Sequence, residues 1–110
     1  MYKIFVFLAL LCSLAAFSKA AQVNGTTENR LWCIATVSAP NNKLQGFLDY
    51  ACGRLDCSAI RRGGSCFEPN TLKNHASYAL DLFFRTNHYC NPEIGTTAIT
   101  DPSFGRCRYP

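Results

Sequence analysis

The sequence predicts a small disulfide-rich α+β fold, with two main helices, short antiparallel strands and loops, and three disulfides. Three observations predict it. Six cysteines follow residue 20: Cys33, Cys52, Cys57, Cys66, Cys90 and Cys107. Two stretches place apolar residues at helical spacing. Short β-forming runs stand between turn residues elsewhere.

The chain opens on a leader. Lys3 supplies a positive start, residues 4–16 are apolar but for Ser13, and Ser18-Lys19-Ala20 offers small residues for cleavage after Ala20. The apolar run is short for a membrane span, which takes about 20 residues. Residues 104–110 carry no hydrophobic lipid-anchor signal. Residues 1–20 are therefore expected to be a signal peptide, and the rest a secreted monomer without a membrane anchor. Residues 21–30 are polar and read as a flexible segment carrying a glycosylation sequon at Asn24-Gly25-Thr26. Residues 31–110 form a single domain whose core alone is marginal. Six cysteines in an oxidising compartment supply the missing stability as disulfides, with several pairings open on the residues alone. A zinc site lacks its usual closely spaced ligand pairs, so neither metal nor cofactor is expected.

The elements follow in order. Trp32-Cys33-Ile34-Ala35 reads as a strand. Residues 42–52 read as a helix, with Leu44, Phe47, Leu48, Ala51 and Cys52 on one stripe and Gly53 suited to a left-handed terminating residue. Cys52 and Cys57 are close enough to bridge locally if the chain turns there. Gly63-Gly64-Ser65 is a turn. A second helix covers residues 71–85, capped by Asn70, with Leu72, Ala76, Ala79, Leu80 and Phe83 facing inward. His75, Tyr78 and Leu82 lie on an adjacent face. Residues 97–100 and 106–109 read as strands, separated by the turn Asp101-Pro102-Ser103.

After removal of Lys3 and Lys19, nine Lys and Arg face seven Asp and Glu, a net charge of +2. The basic residues are scattered, without the stripe a nucleic-acid binder needs. The same low charge argues against a membrane-active or receptor-directed cysteine-rich peptide. That signalling or interaction class is the alternative function.

The blocks Trp32-Cys33, Leu48-Asp49-Tyr50-Ala51-Cys52-Gly53, Asp56-Cys57 and Gly64-Ser65-Cys66-Phe67-Glu68-Pro69-Asn70-Thr71 resemble plant carbohydrate-binding module family 43, the X-eight domain. His75-Ala76-Ser77-Tyr78-Ala79 and Asp101-Pro102-Ser103-Phe104-Gly105-Arg106-Cys107 continue the match. The family includes modules of endoglucanases, plasmodesmatal callose binders and olive-pollen-type allergens. The resemblance implies a non-catalytic module that binds cell-wall β-1,3-glucan such as callose or laminarin. It implies an apoplastic location and the pairing Cys33–Cys90, Cys52–Cys57 and Cys66–Cys107. Two features depart from the family. The segment between Arg85 and Cys90 is short, and Asn91-Pro92-Glu93-Ile94-Gly95 replaces a sequence that often carries an aromatic.

A neutral glucan is held by aromatic rings laid on sugar faces and polar groups at the sugar edges. Tyr78, off the inner stripe of the second helix, is the leading candidate, followed by Phe84, Tyr89 and Phe104. Asn74, Asp81 and Arg85 are candidates for edge hydrogen bonds. Phe47 and Phe83 are assigned to the core, and Trp32 to packing on a disulfide. His75 is expected to be buried or capping, since Ser77 two residues on points elsewhere on a helix. A glycosidase needs two opposed carboxylates about 5 to 9.5 Å apart across a cleft, and a domain this small hardly provides one for Asp49, Asp56, Glu68 or Asp81.

Overall fold

The computed structural model describes residues 30–110; the expected leader, nearly all of the flexible segment and the Asn24 sequon lie outside the described residues. Strand β1 (Trp32–Ala35) is followed by helix α1 (Asn41–Cys52), a short 3-10 turn (Ser58–Ile60), helix α2 (Leu72–Asn87) and strand β2 (Gly95–Ala98). No described helix is long and apolar enough to cross a membrane.

Helix α1 begins where the Pro40 carbonyl accepts the Lys43 and Leu44 amides, each at 3.1 Å. It ends at Gly53, which is right-handed (φ −76°) rather than left-handed as expected. A Cβ there would lie 3.3 Å from the Asp49 carbonyl oxygen, a close approach that a side chain could take only with a small shift of its neighbour. The Leu55 amide then bonds back to the Ala51 carbonyl at 2.8 Å, turning the chain so that Cys57 meets Cys52. The cap of α2 is Thr71 rather than Asn70, its Oγ1 accepting the Asn74 amide at 3.2 Å. The left-handed cap belongs to this helix, at His88 (φ 56°).

The sheet is a two-stranded antiparallel ribbon pairing Trp32 with Ala98 and Ala35 with Gly95. Strand β2 begins two residues earlier than the sequence reading placed it. The Cys33–Cys90 disulfide and the bond from the Gly95 amide to the Asn91 carbonyl (2.8 Å) hold Gly95 opposite Ala35. A Cβ at Gly95 would come within 3.3 Å of both sulfurs. The strand expected at residues 106–109 does not form; Phe104 to Cys107 make a tight turn, closed by reciprocal bonds between Phe104 and Cys107. The three disulfides join Cys33 to Cys90, Cys52 to Cys57 and Cys66 to Cys107.

The outer edge of β1 is closed by α2. The Cys33 amide donates to Asp81 Oδ1 at 2.9 Å, and the Ala35 amide to Ser77 Oγ at 3.0 Å. Alternate residues of a strand point their amides the same way, and residues four apart on a helix lie on one face. The spacings, about 6.6 Å and 6 Å, match closely enough for two side chains to replace a third strand.

Burial divides into two clusters on either side of this seam. Trp32, Cys57, Ile60, Cys66, Tyr78, Cys107 and Tyr109 form one; Cys33, Ala35, Leu44, Ala76, Leu80 and Ile94 form the other. Strand β1 alternates between them, and α2 feeds both. The adjacent face of α2, expected to stand off the core, is therefore a second buried face. Tyr78 is only 9% exposed, its ring edge-to-face with Tyr109 at 5.5 Å, and it offers no ring face to a ligand. Asp81 is fully buried and accepts from Cys33 and from Arg85 Nη2 (3.4 Å), so it reaches no solvent edge. The Arg85 guanidinium also donates to the Leu31 carbonyl and to the Pro110 main-chain oxygen, clasping the two edges of the domain. Asn74 Nδ2 donates to the Cys66 and Pro69 carbonyls at 3.2 and 3.1 Å, securing the entry to α2. His75 Nε2 meets the Phe67 carbonyl oxygen at 2.7 Å, a structural contact.

Two outcomes are expected. Tyr78→Ala will lower stability by about 3 kcal/mol through a cavity in the Tyr109 cluster, read by denaturant unfolding. Asp81→Ala will cost about 3 kcal/mol or more, because the Cys33 amide and Arg85 lose a buried acceptor. Burial raises the Asp81 carboxyl against the lowering pull of Cys33, Arg85 and Arg30. Native protein thus holds that proton more tightly than unfolded chain. Its contribution is greatest below the ordinary aspartate value, about 3.9, and declines as pH rises through the raised native value. Asp56 and Asp101, lowered by hydrogen bonds from Ser58 and Ser103, titrate in the opposite sense. Subtracting the stability–pH curve of Asp81→Asn from that of wild type isolates the Asp81 slope, expected to fall with rising pH.

Candidate functional site

Helix α1 carries a second face. Lys43, Gly46, Phe47 and Tyr50 follow at i, i+3, i+4 and i+7, one stripe that adjoins the face burying Leu44 and Ala51, with Phe47 at the border of the two. Across from it stand Phe83 of α2 and the segment bearing Tyr89, Asn91, Glu93 and Ile94. Between these walls lies an open cleft of about 390 Å³.

Aromatic contacts join the walls at one end. The Phe83 ring is 5.6 Å from Phe47, nearly perpendicular at 78°, and 6.2 Å from Tyr50. Phe47 and Tyr50 are 6.5 Å apart on the same helix. Tyr50 is 47% exposed and Tyr89 55%, so both rings have faces open to a ligand. The Arg54 guanidinium stacks 3.9 Å from the Tyr50 centroid, and its Nη1 donates to the Tyr50 carbonyl at 3.2 Å. At the other end Lys43 Nζ and Glu93 Oε2 pair at 2.9 Å. The floor between them is apolar, the rim polar.

Gly46 lines the cleft between Lys43 and Phe47. Glycine inside a helix is less favourable than alanine by about 1 kcal/mol. A Cβ at this glycine would meet nothing within 4 Å, so packing does not require its absence. Any side chain there would stand in or beside the cleft.

Of the sequence-chosen aromatics, Tyr89 lines this cleft. Phe84 packs against the Leu44–Leu80 cluster, with Arg85 over its ring at 5.3 Å. Phe104 is 40% exposed in the turn at Cys107 and is not part of the cleft lining. Phe47 packs against the Leu44–Leu80 cluster, in keeping with its assignment to the core, but it and Phe83 are half-buried and also wall the cleft, and Tyr50 is an additional wall residue. The available signal was the glycine: a helix with an interior Gly46 beside Phe47 and Tyr50 keeps an aromatic surface deliberately unfilled. Trp32 lies in the cluster containing Cys57, Cys66 and Cys107, in keeping with packing on disulfides.

Sequence comparison matches residues 31–93 to the X8 domain. The major pollen allergen Ole e 10 of Olea europaea is 38% identical over 91 residues, covering 76% of this chain and 74% of the allergen. A glucan endo-1,3-beta-glucosidase of Triticum aestivum is 41% identical over 83 residues, 71% of this chain but 18% of the wheat protein. Glucan endo-1,3-beta-glucosidase 7 of Arabidopsis thaliana is 38% identical over 104 residues, covering 88% of this chain and 21% of its own length. The chain thus spans about a fifth of the length of these glucosidases and about three quarters of the allergen. The family match covers more than half of the sequence, and the chain belongs to the X8-domain family.

Proposed function

We propose that this chain is a secreted, non-catalytic binding module for a cell-wall β-1,3-glucan, held in the cleft between α1 and the Phe83–Ile94 wall. One observation carries the reading. Four aromatic side chains, Phe47, Tyr50, Phe83 and Tyr89, converge on an open cleft rimmed by Lys43, Asn91 and Glu93. Apolar sugar faces stack on such rings, while hydroxyls exchange water for the polar rim. The names of the glucan-directed relatives agree with this ligand class. The expected signal peptide, cleavage after Ala20 and glycosylation at Asn24 belong to the same proposal, which places the mature protein in the apoplast as a monomer.

The positions of the carboxylates support the non-catalytic reading. Among the described residues Glu93 is the one carboxylate in the cleft lining, and it is paired with Lys43. Asp81 is sealed beneath β1, and Asp49, Asp56 and Glu68 stand outside the lining. A hydrolase would need a second carboxylate facing Glu93.

The test combines loss and obstruction. Phe83→Ala and Tyr89→Ala should each weaken laminarin binding about fivefold or more, the equivalent of roughly 1 kcal/mol of stacking. Phe83 is half-buried, so its removal should lower stability by only about 1 kcal/mol. Gly46→Ala should stabilise the fold by about 1 kcal/mol, whereas Gly46→Leu should leave it folded and obstruct binding. Titration calorimetry with laminarin, beside melting curves for each variant, reads both effects. Normal binding by folded Gly46→Leu and Phe83→Ala would remove the cleft from consideration. A wild type that ignores every β-1,3-glucan would favour the interaction-protein alternative.

A further inference from the structure

We propose that His88 is a positioning residue for the cleft: its left-handed backbone turns Tyr89 off the end of α2 and holds that ring on the cleft wall. This rests on the reading of the cleft as a sugar site.

Tyr89 is the most exposed of the four cleft aromatics, at 55%. The ring contacts that join Phe47, Tyr50 and Phe83 do not include it. Stacking on the other rings therefore does not hold it, and its place is set by the backbone on either side. On one side is His88, the one non-glycine residue with positive φ among the described residues (φ 56°, ψ 34°). Its amide donates to the Phe84 carbonyl at 2.8 Å. The Leu82 and Phe83 carbonyls accept from Thr86 Oγ1 (3.1 Å) and Asn87 Nδ2 (3.2 Å), so the last turn of α2 is closed. On the other side Cys90 is bonded to Cys33, which is fully buried in β1. Tyr89 thus stands alone between a helix cap and a covalent anchor.

The left-handed residue decides where the ring goes. Were His88 helical, Tyr89 would continue the α2 spiral six residues past Phe83, about 120° round the helix from it. His88 breaks the spiral instead, and Tyr89 lines the cleft with Phe83. Glycine is the usual residue at such a cap, because it enters the left-handed region freely. It leaves that region as freely. A residue with a β-carbon has only a small left-handed basin. His88, kept in that basin by the cap and the disulfide, holds Tyr89 more narrowly than glycine would. A ring held in place before binding loses less conformational freedom when a sugar stacks on it.

The experiment compares His88→Asn, His88→Val and His88→Gly with Tyr89→Ala and with the double variant His88→Val/Tyr89→Ala. Laminarin is titrated into each mature protein by calorimetry, and melting curves check folding. NMR relaxation reads the order of the residue-89 amide without ligand. Wild type should show an order parameter there near that of rigid backbone, about 0.85. Asparagine tolerates the left-handed region, so His88→Asn should bind as wild type does. Valine is strongly disfavoured there. His88→Val should lower the order parameter and weaken binding about fivefold, as far as Tyr89→Ala does. The double variant should bind no more weakly than Tyr89→Ala alone, because His88 acts only through Tyr89. If His88→Val does not fold, His88→Gly carries the test: it should stay folded, with lower order at Tyr89 and binding weakened about twofold. Wild-type binding by folded His88→Val, or by His88→Gly where the valine variant does not fold, overturns the positioning role. So does a further loss in the double variant beyond that of Tyr89→Ala. A loss in His88→Asn equal to that in His88→Val also overturns it, since the imidazole itself would then touch the ligand. Each of these results leaves wild-type glucan binding intact, whereas a wild type that binds no β-1,3-glucan overturns the cleft reading and this role with it.

Discussion

The fold depends on a strand edge being closed by a helix. A two-stranded ribbon is marginal in water by itself, since each strand leaves an edge of unpaired amides and carbonyls. Here α2 presents Ser77 and Asp81 to the outer amides of β1, so Cys33 and Ala35 are satisfied without a third strand. The solution commits a carboxylate to the interior, where an isolated charge is strongly unfavourable. Arg85, one turn further along α2, supplies the compensating charge. One oxygen of Asp81, Oδ2, has no hydrogen-bond partner, and burial accordingly pushes the carboxyl upward. The edge, the carboxylate and the guanidinium form one unit, and the alternate burial of β1 in two clusters follows from where that unit places the strand.

Much of this architecture was legible in the sequence because it rests on local signals. Helical spacing, the Cys52–Cys57 separation and the β-forming run at Trp32 each need few neighbours to be read. The misreadings share one physical origin. Sequence spacing identifies a helix with apolar faces, but not how many cores those faces serve. Helix α2 serves two, so Tyr78, off the first stripe, belongs to the second cluster instead of the surface. Phe83, nominally on the inner stripe, falls at its edge and becomes a cleft wall. Asp81 and Arg85 resembled a solvated pair at helical spacing; their role depends on the amide of Cys33, 48 residues away. The position of β2 likewise needed the disulfide and the turn at Asn91, which no local pattern contains.

The cleft sits at the margin of the cluster that holds Leu44 and Ile94. These two residues anchor its walls there, while Tyr50, Tyr89 and the rim charges project beyond. Asn91-Pro92-Glu93, directly after Cys90, gives this region a polar rim and supplies the partner for Lys43. Tyr89, immediately before the cysteine, contributes the exposed ring on that wall.

The pattern of disulfides also determines how the domain would carry a mechanical load. Cys33 and Cys107 lie close to the two edges of the domain, and their bonds lead to Cys90 and Cys66. Tension applied across those edges would pass from Cys33 straight to Cys90, back along the backbone to Cys66, and out through Cys107. Only the stretch that contains α2 stands on that covalent path. Helix α1, the Cys52–Cys57 loop and β2 hang from it as side loops that bear no pull. Once the Arg85 clasp yields, extension is limited to what α2 and its flanks can unwind, a gain of about 2 Å for each helical residue. The stripe of α1 that bears Phe47 and Tyr50 would stay off the line of force.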